Sequence, residues 1–302
     1  MEFDDDGYGA FGGLVYENIP LNEANVIIVG IPYESATSGK KGASFAPAAL
    51  RAASKDMQTI SRSGQDINQL TIKDAGNIPI YTVEGEDTRN SIEEYYDYLL
   101  NNSNANILAL GGDHSVTYPI LKSLAKKGKL GIIWFDAHRD VLENLSRSRF
   151  SHGSPLRRAL ELDNVSFENV LLVGTRYMDS EEEEFVKQHN IAELRMHDLE
   201  EHNFDPQYFI SQVQKITKTI DYLYVSLDID VLDPAFAPGT GTQVGGGMST
   251  SQLMRLIHLI PHNIRCMDIM EVSPPLDHSG ITIKATLGII TEILAKLFYQ
   301  SK

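Results

Sequence analysis

Leu130-Gly131-Ile132-Ile133-Trp134-Phe135-Asp136-Ala137-His138-Arg139-Asp140 is the stretch that decides the fold. Its first six residues are apolar without alternation, which suits a strand covered on both faces of a parallel sheet. Polar residues follow at once, where such a strand ends. The layout recurs along the chain. An apolar run at 106–110 leads into Gly111-Gly112-Asp113-His114-Ser115, and one at 222–227 leads into Asp228-Ile229-Asp230. A third, at 264–269, leads into Glu271-Val272-Ser273-Pro274-Pro275. Further strands are expected at 25–29 and 169–173. Helical patterns lie at 47–53, 91–101, 117–126, 180–188, 205–217, 250–259 and 286–300, the first with Pro47 at an early helical position. Strands alternating with helices predict an α/β chain, a three-layer α/β/α sandwich with a central, mostly parallel, doubly wound sheet. Such sheets carry their sites beyond the carboxyl ends of the strands. No linker-like stretch divides the chain, so one domain is expected over 1–302, with the acidic, Gly-rich residues 1–20 as an N-terminal arm or loop.

Working outward to composition, 26 Lys plus Arg stand against 41 Asp plus Glu, a net charge of −15. That balance repels phosphate backbones and anionic lipid, so no nucleic-acid or membrane partner is expected. A small cationic molecule suits it better, although acidity also serves solubility alone. Cys266 is the only cysteine and rules out an intrachain disulfide or a cysteine-built metal site. It sits in an apolar run and reads as a small buried hydrophobe. The start, MEFDDDGYGA, has no basic or apolar signal region, and no stretch is apolar for the roughly 18 residues that a spanning helix needs. A cytoplasmic location is expected. Ser180 followed by Glu181, Glu182, Glu183 and Glu184 reads as a helix start, with Ser180 as cap and carboxylates favoured by the helix dipole.

The strand ends carry the chemistry. In extended chain, residues two apart share a face, so Asp136 with His138, and Asp228 with Asp230, each present two ligands to one point. Asp140 returns to that point if the chain turns just past the strand. Were the clusters to meet, Asp136, Asp140, Asp228 and Asp230 would bring four negative charges beside the imidazoles of His114 and His138. Unpaired buried carboxylates cost several kcal/mol each, and two divalent cations neutralise four of them. Oxygen ligands with imidazole suit manganese, where a softer metal would want thiolate. A two-metal centre activates water toward neutral pH for attack on an electrophilic carbon. Glu271, just past its strand, offers a carboxylate to a planar guanidinium through parallel hydrogen bonds.

Other motifs fail on inspection. His258 and His262 are four apart, but Pro261 interrupts and no Glu follows His258, so a zincin pair is not expected. Asp228 to Asp233 mimics the start of a calcium loop but has Asp233 where Gly is needed and Gly239 where Glu is needed. The glycines at 239–241 and 245–247 match no phosphate-cradling loop, and no G-x-S-x-G elbow occurs.

Taken together, Gly111–Ser115, Asp136–Asp140, the segment SLDIDVLDPAFAPGTGT at 226–242 and Glu271–Pro275 resemble the ureohydrolase family of arginases and agmatinases. The resemblance runs from Ile31-Pro32-Tyr33 to the final helix. It implies the arginase/deacetylase-like three-layer fold and a homo-oligomer, trimer or hexamer. It implies two Mn²⁺ per subunit, one held by His114, Asp136, Asp140 and Asp228, the other by Asp136, His138, Asp228 and Asp230. It implies that His152 shuttles protons, that Glu271 binds the guanidinium and that Thr242 shapes its pocket. His152, Glu271 and Asp140 are then the catalytic expectations, and Glu271, Thr242 and His152 the substrate-binding ones.

Within the family, arginases carry Asn two places beyond the last Asp of the second motif and Ser-Gly-Asn before the shuttle His. Here Leu142 and Arg149-Phe150-Ser151 stand in those places, and Ser151–Ala159 looks like the agmatinase version. The expected reaction is hydrolysis of agmatine to putrescine and urea. The alternatives are guanidinobutyrate, arginine or formiminoglutamate as substrate, a non-catalytic relative that binds a guanidinium or polyamine, or a one-zinc deacetylase-like amide hydrolase. Four departures from the family pattern stand out: Arg139 where Thr is frequent, Ala46 for Gly, Gln243-Val244 for Pro-Glu, and Lys284 where small residues are usual. None replaces an expected ligand.

Overall fold

The computed structural model describes residues 1–4, 10–12, 19–81, 83, 85–261 and 264–300. Among these, eight strands build one sheet: β1 (Val26–Gly30), β2 (Ile72–Asn77), β3 (Asn106–Leu110), β4 (Leu130–Phe135), β5 (Val165–Val173), β6 (Ala192–Leu194), β7 (Tyr222–Asp228) and β8 (Ile264–Met270). The order is β2-β1-β3-β8-β7-β4-β5-β6, and every pairing is parallel. The four strands that end in polar clusters, β3, β8, β7 and β4, are adjacent at the centre of the sheet. That adjacency brings chain segments more than a hundred residues apart to one edge.

The strand residues face both ways into apolar layers. Val26 and Ile28 join one core with Leu50, Phe209, Leu253 and Ile290, while Ile27 and Val29 join the other with Ile92, Ile120, Leu156 and Phe185. The first core is roofed by α1 (Ala46–Ser54), α6 (Met196–Glu201), α7 (Pro206–Ile216), α8 (Thr250–Leu259) and α9 (Ile281–Gln300). The second is roofed by α2 (Gly85–Asn102), α3 (Thr117–Ala125), α4 (Pro155–Ala159) and α5 (Ser180–His189). Two buried faces explain why the central strands lack alternation, and the three-layer architecture follows.

Several elements differ from expectation. β2 and β6 lie at the sheet edges: β2 carries Asp74 and Gly76, and β6 is three residues long, so neither has the β-branched signature of a central strand. α4 and α6 are short, and helices of five or six residues leave little periodicity to read. α5 is capped by Asp179 rather than Ser180, with a capping box to Glu182. The described part of the N-terminal arm is docked: Asp4 pairs antiparallel with Asn77, and Phe11 is fully buried with its N–H on Asp74 Oδ2. Residues 5–9 and 13–18 of that expected arm, and His262, lie outside the described residues. His258 is paired with Glu292 of α9. Cys266 is fully buried, and burial pushes its thiol up to about 12, as a packed apolar side chain requires. No helix of the described residues is long and apolar enough to cross a membrane.

Candidate metal centre

Each central strand ends by aiming a side chain at the same point. β3 stops at Leu110, and Gly111-Gly112 carries the chain on because no side chain fits there. A Cβ on Gly112 would stand 1.8 Å from the Tyr33 carbonyl oxygen, and one on Gly111 would stand 1.8 Å from Met270 Sδ. His114 follows, fully buried. Asp136 sits directly past β4, and the chain then turns so that Asp140 adopts a left-handed φ of 56°. Glu271, past β8, is likewise left-handed at φ 62°. Two non-glycine residues in that region, both at the sheet edge, mark a backbone held by its surroundings.

The expected ligands converge. His114 Nδ1 lies 3.2 Å from Asp136 Oδ2, 3.1 Å from Asp140 Oδ2 and 3.2 Å from Asp228 Oδ2. His138 Nδ1 lies 3.3 Å from Asp136 Oδ1 and 3.1 Å from Asp230 Oδ2. Asp136 therefore offers one oxygen to each histidine. Two groups with metal-ligand spacing result, His114 with Asp136 and Asp228, and Asp136 with His138 and Asp230. Asp228 enters only the first of these, and Asp140, though 3.1 Å from His114 Nδ1, enters neither. Backbone amides brace the carboxylates: Asp230 N–H donates to Asp228 Oδ1 at 2.8 Å, Ala137 N–H to Asp230 Oδ1 at 3.1 Å, and His138 N–H to Asp136 Oδ1 at 2.7 Å.

A cation fits this donor set. Ser226 Oγ–H donates to Asp268 Oδ1 at 2.7 Å, so its lone pair is left for His114 Nε2–H at 2.8 Å. In the neutral imidazole, Nδ1 then carries the lone pair. That atom is buried without a hydrogen-bond partner and faces three carboxylate oxygens. Such an arrangement is repulsive unless positive charge lies between them. The titrations point the same way. Burial holds the His138 imidazole down, but Asp230 and Asp136 outweigh it and raise its pKa to about 12. Burial and repulsion from Asp136 raise Asp140 to about 6, and burial with repulsion from Asp230 and Asp136 raises Asp228 well above the carboxylate range. In the metal-free protein protons on the two imidazoles are the nearest countercharge for four carboxylates, a place that two divalent cations would fill.

The remaining site residues surround the cluster. His138, Asp140, Asp228, His152 and Thr242 line a cavity of about 310 Å³, together with Ser38, Leu142, Tyr177, Asp179 and Glu182. Thr242 Oγ1 donates to Asp230 Oδ2 at 3.0 Å. Glu271, 3% exposed, accepts the His114 N–H on Oε1 at 2.9 Å, and His152 Nδ1 lies 3.5 Å from the same oxygen. His152 Nε2 meets Ser38 Oγ at 2.8 Å. Burial lowers the His152 pKa, but Glu271 outweighs it and the net shift is upward.

Four positions around the site carry little signal in the sequence. Trp134 donates its indole N–H to Asp136 Oδ2 at 3.0 Å, and its place two residues before Asp136 was an available signal. In sequence Ser226 shows only as part of the Ser226–Asp230 motif. Ser38 lies in the loop beyond β1, where the strand-end rule points, but nothing marks one serine among several polar residues. In sequence Glu182 reads as serving the helix dipole alone, yet it reaches the cavity, and burial with the nearby Asp140 charge raises its pKa to about 7.

Residues 24–295 match the model of the Arginase family. The chain is 33% identical to an agmatinase of Bacillus subtilis over 97% of this chain and 98% of that one. It is 32% identical to a guanidinobutyrase of Pseudomonas aeruginosa, covering 92% of this chain and 88% of that one. Its fold is similar to that of the proclavaminate amidino hydrolase from Streptomyces clavuligerus, with a TM-score of 0.87 and 28% identity over 95% and 96% of the two chains. The charge-starved cluster at the centre of the sheet thus comes with a lineage as well as a chemistry: the chain belongs to the arginase family and is a ureohydrolase.

Proposed function

We propose that the chain hydrolyses agmatine to putrescine and urea, with two manganese ions held by His114, Asp136, His138, Asp140, Asp228 and Asp230. The observation that carries the choice of substrate is the cavity wall. Asp179 and Glu182 line it, and among its described lining residues there is no Lys or Arg. A tail ending in an ammonium suits that wall. A tail ending in carboxylate, as in guanidinobutyrate, arginine or formiminoglutamate, meets like charge and no counterion. The net charge of −15 favours the approach of a dication in the same sense.

The two ions, when bound, neutralise the carboxylates and supply Lewis-acid activation of water for attack at the guanidinium carbon. The protein's own groups do the rest. The Glu271 carboxylate accepts guanidinium N–H bonds, and its anchorage on the His114 N–H fixes the reacting carbon relative to the ligands. His152, outside the ligand set and with a raised pKa, holds a proton that passes to the departing amine nitrogen. Ser38 orients its imidazole through Nε2. Thr242 keeps Asp230 aligned.

Product release from manganese-loaded protein across agmatine, guanidinobutyrate and arginine (urea) and formiminoglutamate (formamide) tests this. Preference for agmatine is expected, and preference for a carboxylate-tailed compound overturns it. Binding of agmatine with no urea at any pH would overturn the choice of substrate as well, and one metal ion per chain would overturn the two-ion ligand set. A cytoplasmic location, a single domain over 1–302 and a trimeric or hexameric assembly belong to the same proposal.

A further inference from the structure

The acidic run that opens α5 meets the ligand loop residue by residue. Glu181 Oε1 accepts the Glu143 N–H at 2.9 Å, and Glu182 Oε1 accepts the Val141 N–H at 3.3 Å. Glu183 Oε2 accepts from Arg139 Nη2 at 2.7 Å. Successive residues of one helical turn thus hold alternate residues of the segment on either side of Asp140. The Arg139 end is buried: its side chain is fully enclosed, and Glu193 of β6 takes its Nε at 2.7 Å and Nη2 at 2.8 Å. Glu183 also meets Arg195 at 2.8 Å and Lys187 at 2.8 Å. Carboxylates that served the helix dipole alone would need no contact with the ligand loop, and Asp179 already caps this helix.

We propose that the first turn of α5 is a clamp that sets Asp140 for the metal and Glu182 for the far end of the substrate at once, with the Arg139–Glu183 pair as its fastening. Both halves rest on the proposed function, the first on its ligand set and the second on its substrate. The physical ground is that Asp140 holds a left-handed backbone between two clamped neighbours, so slack in the clamp reaches its carboxylate first. The same slack moves Glu182, which is part of the clamp and part of the cavity wall. Arg139 and Glu183 are positioning residues and touch neither ion nor substrate. A small residue at position 139 lacks the reach for this contact, so the clamp is a property of the Arg139 side chain.

The test uses the full chain and compares Glu183→Ala with Glu184→Ala. Both remove one negative charge from the same turn, but Glu184 is exposed and lies outside the clamp. Manganese affinity is read by titration of the protein without substrate, and KM and kcat at saturating manganese on the guanidine that wild type turns over best. Glu183→Ala is expected to weaken manganese about tenfold and raise KM about tenfold, with kcat within about twofold. Glu184→Ala should move neither, and Glu183→Gln should recover part of both losses. Unchanged manganese affinity in folded Glu183→Ala overturns the clamp. So does a change in one quantity without the other, or an equal effect from Glu184→Ala. Should Glu183→Ala not fold, Glu181→Ala, at an exposed position, is judged by the same two quantities. Should wild type prefer a carboxylate-tailed guanidine, the proposed function fails, and the clamp is judged on that compound by the same signs.

Discussion

Trp134 lies flat against His114, with ring centroids 4.3 Å apart and planes 8° from parallel. The same indole donates to Asp136 Oδ2, so one side chain fixes a ligand by contact and another by hydrogen bond. Replacing Trp134 by Phe keeps an aromatic surface and deletes the donor. The buried oxygen of Asp136 then loses a charge-assisted hydrogen bond worth about 2 kcal/mol. The expected outcome is a loss of that order in denaturant unfolding of chelated protein, with manganese affinity down about tenfold. Unchanged affinity would mean that the indole hydrogen bond does not help to hold Asp136 for the metal.

The uncompensated cluster predicts what metal removal does. Chelated protein must bury carboxylates that repel each other, with Asp140 and Asp228 pushed upward in pKa by burial and by their acidic neighbours, whereas loaded protein gains about 2.7 kcal/mol at a free metal concentration one hundred times Kd. Melting with and without chelator should therefore differ by several degrees, with two manganese ions per chain by elemental analysis. Asp228→Asn, which removes one charge facing His114, should cut turnover by at least about a hundredfold and lower the stoichiometry. Retained turnover in that variant would remove Asp228 from the site.

The fold was legible because two buried faces leave a compositional trace. β4 is apolar throughout and β3, β7 and β8 are mostly so, and their polar successors announce the sheet edge. β2 and β6 left no such trace, since an edge strand with Asp74 and Gly76, or one of three residues, satisfies its backbone without an apolar run. The ligand candidates were legible for a similar reason: D-x-H and D-x-D spacings record a shared face. Glu182 was opaque because its neighbours, Val141 and the cavity, lie some forty residues away in sequence, and a run of four glutamates looks the same whether it meets water or a ligand loop. Arg139 was seen as a departure, but Glu183 and Glu193, which give it a purpose, appear only in three dimensions.

His152 is held from both sides, by Glu271 near Nδ1 and Ser38 at Nε2. His152→Asn removes the transferable proton and should lower kcat by about 10²–10⁴ with little change in manganese affinity. Ser38→Ala leaves the imidazole but frees its orientation, so a smaller fall in kcat is expected, on the order of tenfold. Equal effects from the two variants would argue that Ser38 does more than orient, and an active His152→Asn would show that the leaving amine takes its proton from elsewhere.

Glu182 gives the pocket a pH dependence whose sign can be fixed in advance. Burial raises its pKa first and does so with or without metal, and in the metal-free protein the Asp140 charge adds to the shift, bringing it to about 7. A carboxylate with a raised pKa is charged above that value and neutral below it. Agmatine keeps its ammonium throughout this range, so attraction to Glu182 is present above about pH 7 and fades below it. KM for agmatine should therefore rise as pH falls from 8 to 6 at saturating manganese. Glu182→Gln, neutral at every pH, should show the high KM throughout and a flat profile over the same window. Should the mutant profile keep the wild-type slope, the titrating group is another one, and the case for an ammonium-holding wall loses its main support.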